Sequence, residues 1–333
     1  MKKWHYPFLL FLIIGTIIVI RQNRPVYRSN EGSVFGTSYR ITYLYNEDLK
    51  KDIEKTLAEV DGALSIFNDS STISKINRNE NVIPDSLFLH IYRLSHQISD
   101  WTNGAFDITV APAVNAWGFG FKHAENITDA TIDSLKNLVG YNKVYEQDGK
   151  IIKSNPHIML DCNAIAKGFG CDVVADMMNT KNIDNYMIEI GGEIVVKGIN
   201  SKGNNWNIGV SKPIDDTLAV SNELQTILSL TECALATSGN YRNYYYKDGK
   251  KYAHTIDPKT CRPVSHNMLS ATIIALNCAT ADAFATSMMV IGLDSAKVLC
   301  NEHQDIEAYF IYQNAEGEID TYYTDGFQKY IKQ

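Results

Sequence analysis

The sequence predicts a domain that combines α-helices with β-strands, and three kinds of pattern indicate it. From Phe35 to Tyr45 most odd positions are apolar or aromatic and most even positions are polar, which is typical of a half-buried strand. Apolar residues recur three or four positions apart over residues 48–64 and again over residues 85–104, which indicates two amphipathic helices. The Asp-Gly dipeptides at residues 148–149 and 248–249 favour tight turns, so we expect a hairpin at each.

The composition of the chain argues against some classes of function. With 333 residues, 45% of them hydrophobic, the chain can bury a large core in one large domain or in two interlocked ones. The net charge of −7 argues against a nucleic-acid-binding surface, which would be basic. None of the six cysteines forms a C-x-x-C pair, which argues against a zinc or thioredoxin-type site.

The N-terminus has the pattern of an export signal or a membrane anchor. A start with two lysines is followed by an uncharged run over residues 7–20 and then by Arg21 and Arg24. Because no small-x-small cleavage site follows this run, we interpret residues 1–28 as an uncleaved anchor and linker in the inner membrane. Residues 29–333 then form one domain that faces the periplasm. The alternative is a buried N-terminal core helix.

The remaining elements follow from periodicity and turn residues. The polar residues Ser29–Ser33 are predicted to be a linker, and Asp85 is predicted to cap the second amphipathic helix. Further along, the patterns predict a short helix at 129–138, strands at 157–160, 186–190, 193–196, 206–210, 224–230 and 269–276, a turn ending the segment 234–239, a helix from residue 294 and a last hairpin around residues 315–317.

The segment from Asp161 to Asp172 leads from a predicted strand into a helix and contains Lys167 between small residues. Free N–H groups and a cation converge at such a turn, so it favours an anion or a phosphate. It matches neither the Walker motif nor the dinucleotide fingerprint. Downstream, Gly191-Gly192 separates two strands, where it either lets a ligand approach the backbone or simply forms a turn.

The segment Ala279–Gly292 predicts a helix rich in alanine and methionine, with Gly292 as its C-terminal stop. Asp282 and Thr286 are four residues apart, so they share one face. A carboxylate and a hydroxyl supply oxygen ligands for a hard cation such as Mg²⁺. Alternatively, Asp282 favours the helix dipole and Thr286 bonds back to a carbonyl.

Other candidate residues each have a functional and a structural interpretation. Phe67 is either a core residue or a flat platform for an aromatic ligand. The small and aromatic residues at 104–109 and 117–120 suit either a ligand loop or a tight packing corner. His254, three residues before Asp257, either transfers a proton or hydrogen-bonds a loop.

Together these motifs resemble the ApbE family, the FAD:protein FMN transferases, over the chain from about Val34 to Gly292. The resemblance rests on motifs that occur in the family's order: Gly36-Thr37-x-Tyr39, Gly104-Ala105-Phe106-Asp107-Ile108-Thr109-Val110, Trp117-Gly118-Phe119-Gly120, Ile165-Ala166-Lys167-Gly168, Gly191-Gly192-Glu193, Thr237-Ser238-Gly239, His254-Thr255-Ile256-Asp257-Pro258 and Ala281-Asp282-x-x-x-Thr286.

The resemblance implies an α+β fold that is T-fold-like, with mixed or antiparallel sheets, packed helices and a flavin cleft between two subregions. It also implies a Mg²⁺-dependent reaction, in which FAD is split and FMN is joined through its phosphate to a Ser or Thr hydroxyl of a target flavoprotein, with release of AMP. The target expected for an exported enzyme is an exported electron-transfer protein.

The resemblance further implies roles for individual residues. His254 would activate the target hydroxyl. The residues implied for FAD are Phe35, Phe67, Ala105, Phe106, Asp107, Asp161, Lys167, Gly191, Gly192, Glu193, Ser238, Gly239 and Ile256. The metal site would comprise Asp282, Thr286 and the backbone carbonyl of Ala164, together with the position of Ala285.

Several positions depart from the family pattern. Phe35 stands where Met is usual, and Ala285 stands where a Ser or Asp often adds a metal contact. Cys261 replaces a Gly, and Cys162 replaces a Leu. Because Cys162 and Cys261 both flank proposed site segments, a disulfide between them is one hypothesis. None of these departures removes Asp282, Thr286, Lys167 or His254.

Two other functions use the same residues. A Mg²⁺-dependent FAD pyrophosphatase would transfer FMN to water, so free FMN and AMP would be its products. A flavin-binding protein without catalysis would store or deliver FAD at the membrane and release no AMP.

Overall fold

A central sheet of eight strands organises the fold in the computed structural model, which describes residues 5–22, 25–120, 127–213, 224–240, 244–247 and 250–332. The strands lie in the order β1-β2-β5-β6-β9-β14-β15-β16, and each adjacent pair is antiparallel. Their bounds are β1 Val26–Val34, β2 Thr37–Tyr45, β5 Tyr186–Ile190, β6 Glu193–Lys197, β9 Cys233–Gly239, β14 Met268–Ala275, β15 Glu307–Gln313 and β16 Ile319–Tyr323. The α+β class with antiparallel strands is therefore confirmed.

Four two-stranded hairpins complete the strand inventory of the described residues. They are β3 Val144–Gln147 with β4 Lys150–Lys153, β7 Trp206–Ser211 with β8 Leu224–Leu230, β10 Tyr244–Lys247 with β11 Lys250–Ala253, and β12 Ile256–Asp257 with β13 Arg262–Pro263. The turn predicted at 148–149 joins β3 to β4. The turn predicted at 248–249 lies outside the described residues, although the strands on its two sides pair with each other.

The helices are α1 His5–Gln22, α2 Lys50–Leu64, α3 Thr72–Asn77, α4 Ser86–Trp101, α5 Ala111–Ala116, α6 Asp129–Lys136, α7 Asn163–Thr180, α8 Cys278–Ile291 and α9 Leu293–Glu302, with 3-10 turns at Tyr141–Lys143 and Asp325–Tyr330. Asp85 caps α4 by accepting from Phe88 N (2.9 Å), as predicted. Gly292 ends α8 with φ +76°, a conformation that glycine adopts without strain.

The two faces of the sheet bury different cores. Ala308 and Phe310 of β15 face α4, α7 and α8, while Tyr309 and Ile311 face the β7–β8 hairpin and Phe327. This alternation is the period of two that a strand imposes. The sheet is therefore covered by helices on one face and by a hairpin on the other.

Three predicted elements were wrong. The segment 234–239 does not end in a turn, because it belongs to β9 and pairs through Gly239 with β14. The polar segment Ser29–Ser33 is part of β1, which pairs along its whole length with β2; as an edge strand it faces solvent and needs little apolar character. The segment His157–Leu160 is not a strand. Instead, Asn77 binds both the N–H of Leu160 (2.7 Å) and its carbonyl (2.9 Å), so a side chain takes the place of a neighbouring strand.

The first helix stands apart from these cores. Eight of its large apolar side chains are exposed: Tyr6, Phe8, Leu9, Leu10, Phe11, Leu12, Ile13 and Ile14. No helix in the described part of the chain combines the length and the apolar character needed to span a membrane.

Helices α7 and α8 approach each other closely because a glycine lies between them. A Cβ added to Gly168 would lie 2.3 Å from the carbonyl oxygen of Cys278 and 2.9 Å from the N of Ala279. These neighbours are backbone atoms, which cannot rotate away. The two helices can therefore keep their separation only with glycine at this position.

We expect Gly168→Ala to lower the free energy of unfolding by about 1–3 kcal/mol, because the added methyl group overpacks the α7–α8 contact. Gly62→Ala in α2 is the matched control. No atom lies within 4 Å of its added Cβ, so we expect it to leave stability unchanged or to raise it by up to about 1 kcal/mol. Denaturant unfolding of both variants measures the difference, and equal effects would contradict the proposed close contact.

Candidate active site

A cleft of about 850 Å³ opens where α7, α8, the β5–β6 turn and the end of β9 meet the loops that follow α4 and precede β12. Its size lies in the range of small-molecule and cofactor sites. Of the residues implied for the site, those that line it are Ala105, Phe106, Asp107, Asp161, Ala164, Lys167, Gly191, Glu193, Ser238, Gly239, His254, Ile256, Asp282 and Thr286. The fold thus brings together residues that lie far apart in sequence.

One face of α8 contributes the oxygen donors. Asp282, Thr286 and Val290 all line the cleft, as the four-residue spacing requires. The hydroxyl oxygen of Thr286 lies 3.2 Å from that of Ser238 at the end of β9. Asp282 is only 2% exposed, so its carboxylate meets the cleft from within the protein.

Asp282 is held by α7. The N–H of Gly168 donates to Asp282 Oδ2 (3.1 Å), and Lys167 Nζ lies 3.6 Å from the same oxygen. In a regular α-helix the N–H of Gly168 donates to the carbonyl of Ala164. The close α7–α8 contact therefore puts a carboxylate, an ammonium group and the carbonyl-bearing turn of Ala164 at one end of the cleft.

Glu193 enters the cleft from a tight turn. Gly191 and Gly192 have φ values of +64° and +106°, which join β5 to β6 as a two-residue hairpin with Ile190 opposite Glu193. Glycine tolerates these angles at no steric cost. The structural interpretation of the double glycine is therefore correct, and Gly191 also lines the cleft.

Charges of both signs meet at Glu193, whose carboxylate is buried beside a partly exposed lysine. Its Oε1 lies 2.9 Å from Lys167 Nζ. Burial and the neighbouring Asp282 raise the pKa of Glu193, and Lys167 only partly offsets them. Burial alone would disfavour the ammonium form of Lys167, but Asp282 and Glu193 outweigh it, so the pKa of Lys167 is raised. Lys167 is thus a cation with two carboxylate neighbours.

Asp107 faces the cleft, but its carboxylate is already hydrogen-bonded. Its Oδ1 accepts from the N–H and the hydroxyl of Thr109 (both 2.7 Å), and its Oδ2 accepts from the N–H of Tyr141 (2.8 Å). Thr109 Oγ1 in turn accepts from Gly140 N (2.7 Å). Asp107 therefore ties the cleft-lining loop to the segment after α6, which the sequence did not reveal.

The other wall of the cleft is built on a constrained loop. His254, Ile256 and Pro258 line the cleft, and Trp117 Nε1 donates to the carbonyl of Cys261 (2.8 Å). Cys261 has φ +54°, a left-handed conformation that favours glycine. This conformation gives a physical reason for the glycine that the family pattern has at this position.

Four implied site residues do not line the cleft. Phe35 sits at the β1–β2 turn with φ +51°, and its ring lies against Gly170 of α7. Gly192 is exposed in its turn, and Ala285 is fully buried in the apolar core. Phe67 is 73% exposed and lines a separate pocket of about 100 Å³ beside the cleft. Their proposed roles remain predictions.

Several cleft residues were not selected from the sequence. Val290 extends the face of Asp282 and Thr286 by one further turn, so helical periodicity was a signal that could have found it. Asn163 and Thr255 also line the cleft. Asn163 is held by Asp161, whose carboxylate accepts from Asn163 N (2.8 Å). Thr255 is held by Asn240, which accepts from the Thr255 hydroxyl (2.7 Å).

The arrangement of the cysteine and acidic side chains bears on two kinds of chemistry, disulfide bonding and metal binding. All six cysteines are buried free thiols, so the hypothesis of a disulfide between Cys162 and Cys261 is wrong for this structure. The two thiols lie in different apolar clusters, and burial raises the pKa of Cys261 to about 11. Among the described residues, no group of three or more His, Cys, Asp and Glu side chains has a metal-binding arrangement.

We expect Asp107→Asn to lower the free energy of unfolding by about 1–3 kcal/mol, because the amide NH₂ cannot accept from the N–H of Tyr141 and leaves it unpaired. Asp133→Asn is the control, since the side chain of Asp133 is 79% exposed and lies 3.8 Å from Lys136. Denaturant unfolding compares the two variants. If Asp107→Asn unfolds like Asp133→Asn, the proposed anchoring role of Asp107 is wrong.

The chain is similar to proteins of one known family. The ApbE family model matches residues 35–310. A curated FAD:protein FMN transferase from Vibrio cholerae is 35% identical over 284 residues, 82% of this chain and 84% of that protein. Another from Haemophilus influenzae is 33% identical over 308 residues, 87% of this chain and 88% of that protein.

Solved structures give the same result. The flavin transferase ApbE from Vibrio cholerae superimposes with a TM-score of 0.82 at 32% identity, covering 92% of this chain and 99% of that one. The ApbE protein from Thermotoga maritima gives a TM-score of 0.79 at 25% identity, covering 92% of this chain and 100% of that one. The chain belongs to the ApbE family.

Proposed function

We propose that this enzyme transfers FMN from FAD to a Ser or Thr hydroxyl of a target flavoprotein in a Mg²⁺-dependent reaction that releases AMP. The observation that carries the proposal is that one cleft unites Asp282, Thr286, Lys167 and His254 in a chain whose relatives are named FAD:protein FMN transferases. Each group has a separate part in the proposed reaction.

The donors at one end of the cleft fit a magnesium ion. Mg²⁺ prefers oxygen ligands and keeps several of its waters, so it needs only a few protein donors. Asp282 would supply a carboxylate oxygen and Thr286 a hydroxyl. The carbonyl of Ala164, in the first turn of α7 beside the cleft, would supply a third contact. Glu193 Oε2 is also buried there without a hydrogen-bond partner among the described residues.

When bound, Mg²⁺ would neutralise the negative charge that develops on the departing phosphate. The chain's own residues hold the substrate. The cleft of about 850 Å³ accommodates a ligand of the size of a dinucleotide, and Phe106 and Ile256 give part of it an apolar wall. The start of α7, at Asn163 and Ala164, presents a helix N-terminus to the cleft, which favours the diphosphate.

His254 is the proposed general base. A serine or threonine hydroxyl is a weak nucleophile at neutral pH and needs a base within reach. In the proposed step the hydroxyl oxygen bonds to the phosphorus of the FMN half, the bond between that phosphorus and the bridging oxygen breaks, and AMP leaves with the bridging oxygen. The hydroxyl proton passes to an imidazole nitrogen of His254.

The proposal predicts the products that the full-length protein forms from FAD and Mg²⁺ with an exported flavoprotein domain as acceptor. We expect AMP release together with a mass gain of one FMN on a Ser or Thr of the acceptor. Mass spectrometry of the acceptor and chromatography of the nucleotides measure both. Free FMN without an acceptor adduct would establish the pyrophosphatase instead, and retained FAD without AMP would establish a flavin-binding protein.

Variants assign the roles within that assay. His254→Ala should reduce transfer by about 10²–10⁴-fold while FAD still binds, because the base acts only on the acceptor hydroxyl. Asp282→Asn should raise the Mg²⁺ concentration needed for half-maximal transfer at least tenfold. Asp305→Asn, whose side chain is 60% exposed, should leave this concentration unchanged. Unchanged transfer in His254→Ala would exclude that residue as the base.

We also propose that the N-terminal segment anchors the enzyme in the inner membrane, with the catalytic domain in the periplasm and an exported electron-transfer protein as acceptor. Two features support this proposal: the lysines before the apolar run and the exposed apolar side chains of α1 from Phe8 to Ile14.

Cell fractionation tests the location. We expect the full chain in the membrane fraction and accessible to a protease added to spheroplasts. A chain with Leu10, Phe11 and Ile13 replaced by serine should lose its membrane association, because these side chains are exposed. Recovery of the full chain in the cytoplasmic fraction would contradict the proposed location.

A further inference from the structure

Lys167 lies between two buried carboxylates at unequal distances. Its Nζ is 2.9 Å from Glu193 Oε1 and 3.6 Å from Asp282 Oδ2. Glu193 is 3% exposed and Asp282 is 2% exposed, and all three residues line the cleft. The shorter distance is a direct hydrogen-bonded ion pair, whereas the longer one exceeds normal hydrogen-bond length. Lys167 is therefore hydrogen-bonded to Glu193 and forms only a longer ion pair with Asp282.

The position of Glu193 is fixed by its surroundings rather than by the lysine. The Gly191–Gly192 turn starts β6 at Glu193, and the thiol of Cys171 donates to the carbonyl oxygen of Glu193 (3.3 Å). Its Oε2 is buried without a hydrogen-bond partner in the described part of the chain. The backbone thus fixes the position of the Glu193 carboxylate, and the flexible side chain of Lys167 binds to it.

An ammonium group on Asp282 would compete with a metal ion. The attraction between unit charges grows as the surroundings become less polar, and both carboxylates are buried while the Lys167 side chain is 28% exposed, so the ammonium group is attracted to either carboxylate. If Glu193 carried no charge, Asp282 would be the remaining carboxylate in contact with Lys167. Its oxygens would then be occupied by the ammonium group in addition to the N–H of Gly168.

We propose that Glu193 is a positioning residue that holds Lys167 beyond hydrogen-bond distance of Asp282 and so leaves the Asp282 carboxylate able to bind a divalent cation. The inference rests on the proposed function for the cation site at Asp282 and deepens it. It assigns to Glu193 a role that does not require contact with the flavin. It also implies that Lys167 has two opposing effects: its ammonium group attracts phosphate, but it competes with the cation for Asp282.

Direct cation binding tests the inference without the reaction. Binding of Mg²⁺ to the full-length protein in the absence of FAD is measured by titration calorimetry, and binding of Mn²⁺ by the electron paramagnetic resonance signal of the free ion. We expect Glu193→Gln, which keeps the shape but removes the charge, to bind both ions at least tenfold more weakly than the wild type. Lys167→Met should bind them no more weakly than the wild type.

The double variant distinguishes two roles of Glu193: holding Lys167 beyond hydrogen-bond distance of Asp282, and supporting the local structure. With Lys167→Met and Glu193→Gln combined, no ammonium group competes for Asp282, so affinity should return to within threefold of that of Lys167→Met. If Glu193 acted only by supporting the β5–β6 turn, the double variant would bind as weakly as Glu193→Gln. Wild-type affinity in Glu193→Gln, or no recovery in the double variant, would overturn the inference.

Two controls keep these outcomes distinct. Thermal unfolding of each variant reports folding, and Lys167→Met supplies an independent test should Glu193→Gln not fold: a tenfold loss of affinity in Lys167→Met would overturn the inference by itself. Asp282→Asn tests the underlying site. If the wild type bound neither ion, or if Asp282→Asn bound them equally well, the cation site of the proposed function would fail along with the inference.

Discussion

The contact between α7 and α8 is the constraint on which the site depends. Gly168 has no side chain, so the carbonyl of Cys278 can lie against its backbone. Four residues further along α7, the carboxylate of Asp172 accepts from the N–H groups of Cys278 (2.7 Å) and Ala279 (2.8 Å). Two of the N–H groups that the first turn of any helix leaves unpaired are thus satisfied by the neighbouring helix. The start of α8 is thereby fixed in both distance and rotation.

Fixing the first turn of α8 also fixes the residues that follow. A helix advances 1.5 Å per residue with 3.6 residues per turn, so Asp282, Thr286 and Val290 fall on the same side, toward the cleft. The other faces of α8, which include Ala281, Phe284 and Met288, pack into the core. Because the residue before Gly168 is Lys167, the same contact places an ammonium group beside Asp282. One glycine therefore determines both the packing of two helices and the charges that meet in the cleft.

The sequence predicted those parts of the fold that depend on local periodicity. The α8 face and its stop at Gly292 follow from spacing and from a positive φ. The strand β1 was missed because an edge strand pairs through its backbone and needs few apolar side chains. The segment His157–Leu160 was assigned wrongly because its backbone partner is the side chain of Asn77, more than 80 positions away in the chain. Periodicity carries no information about such partners.

The same limit applies to Lys167, which the sequence indicated as a cation available to phosphate. Its surroundings come from Glu193 on β6 and Asp282 on α8, so only the folded chain shows that two carboxylates accompany it. One ammonium group and two carboxylates together carry no net positive charge. A diphosphate therefore gains little from Lys167 alone. A divalent cation at Asp282 would reverse the sign of the local charge, so in the proposed function the cation and the diphosphate each favour the binding of the other.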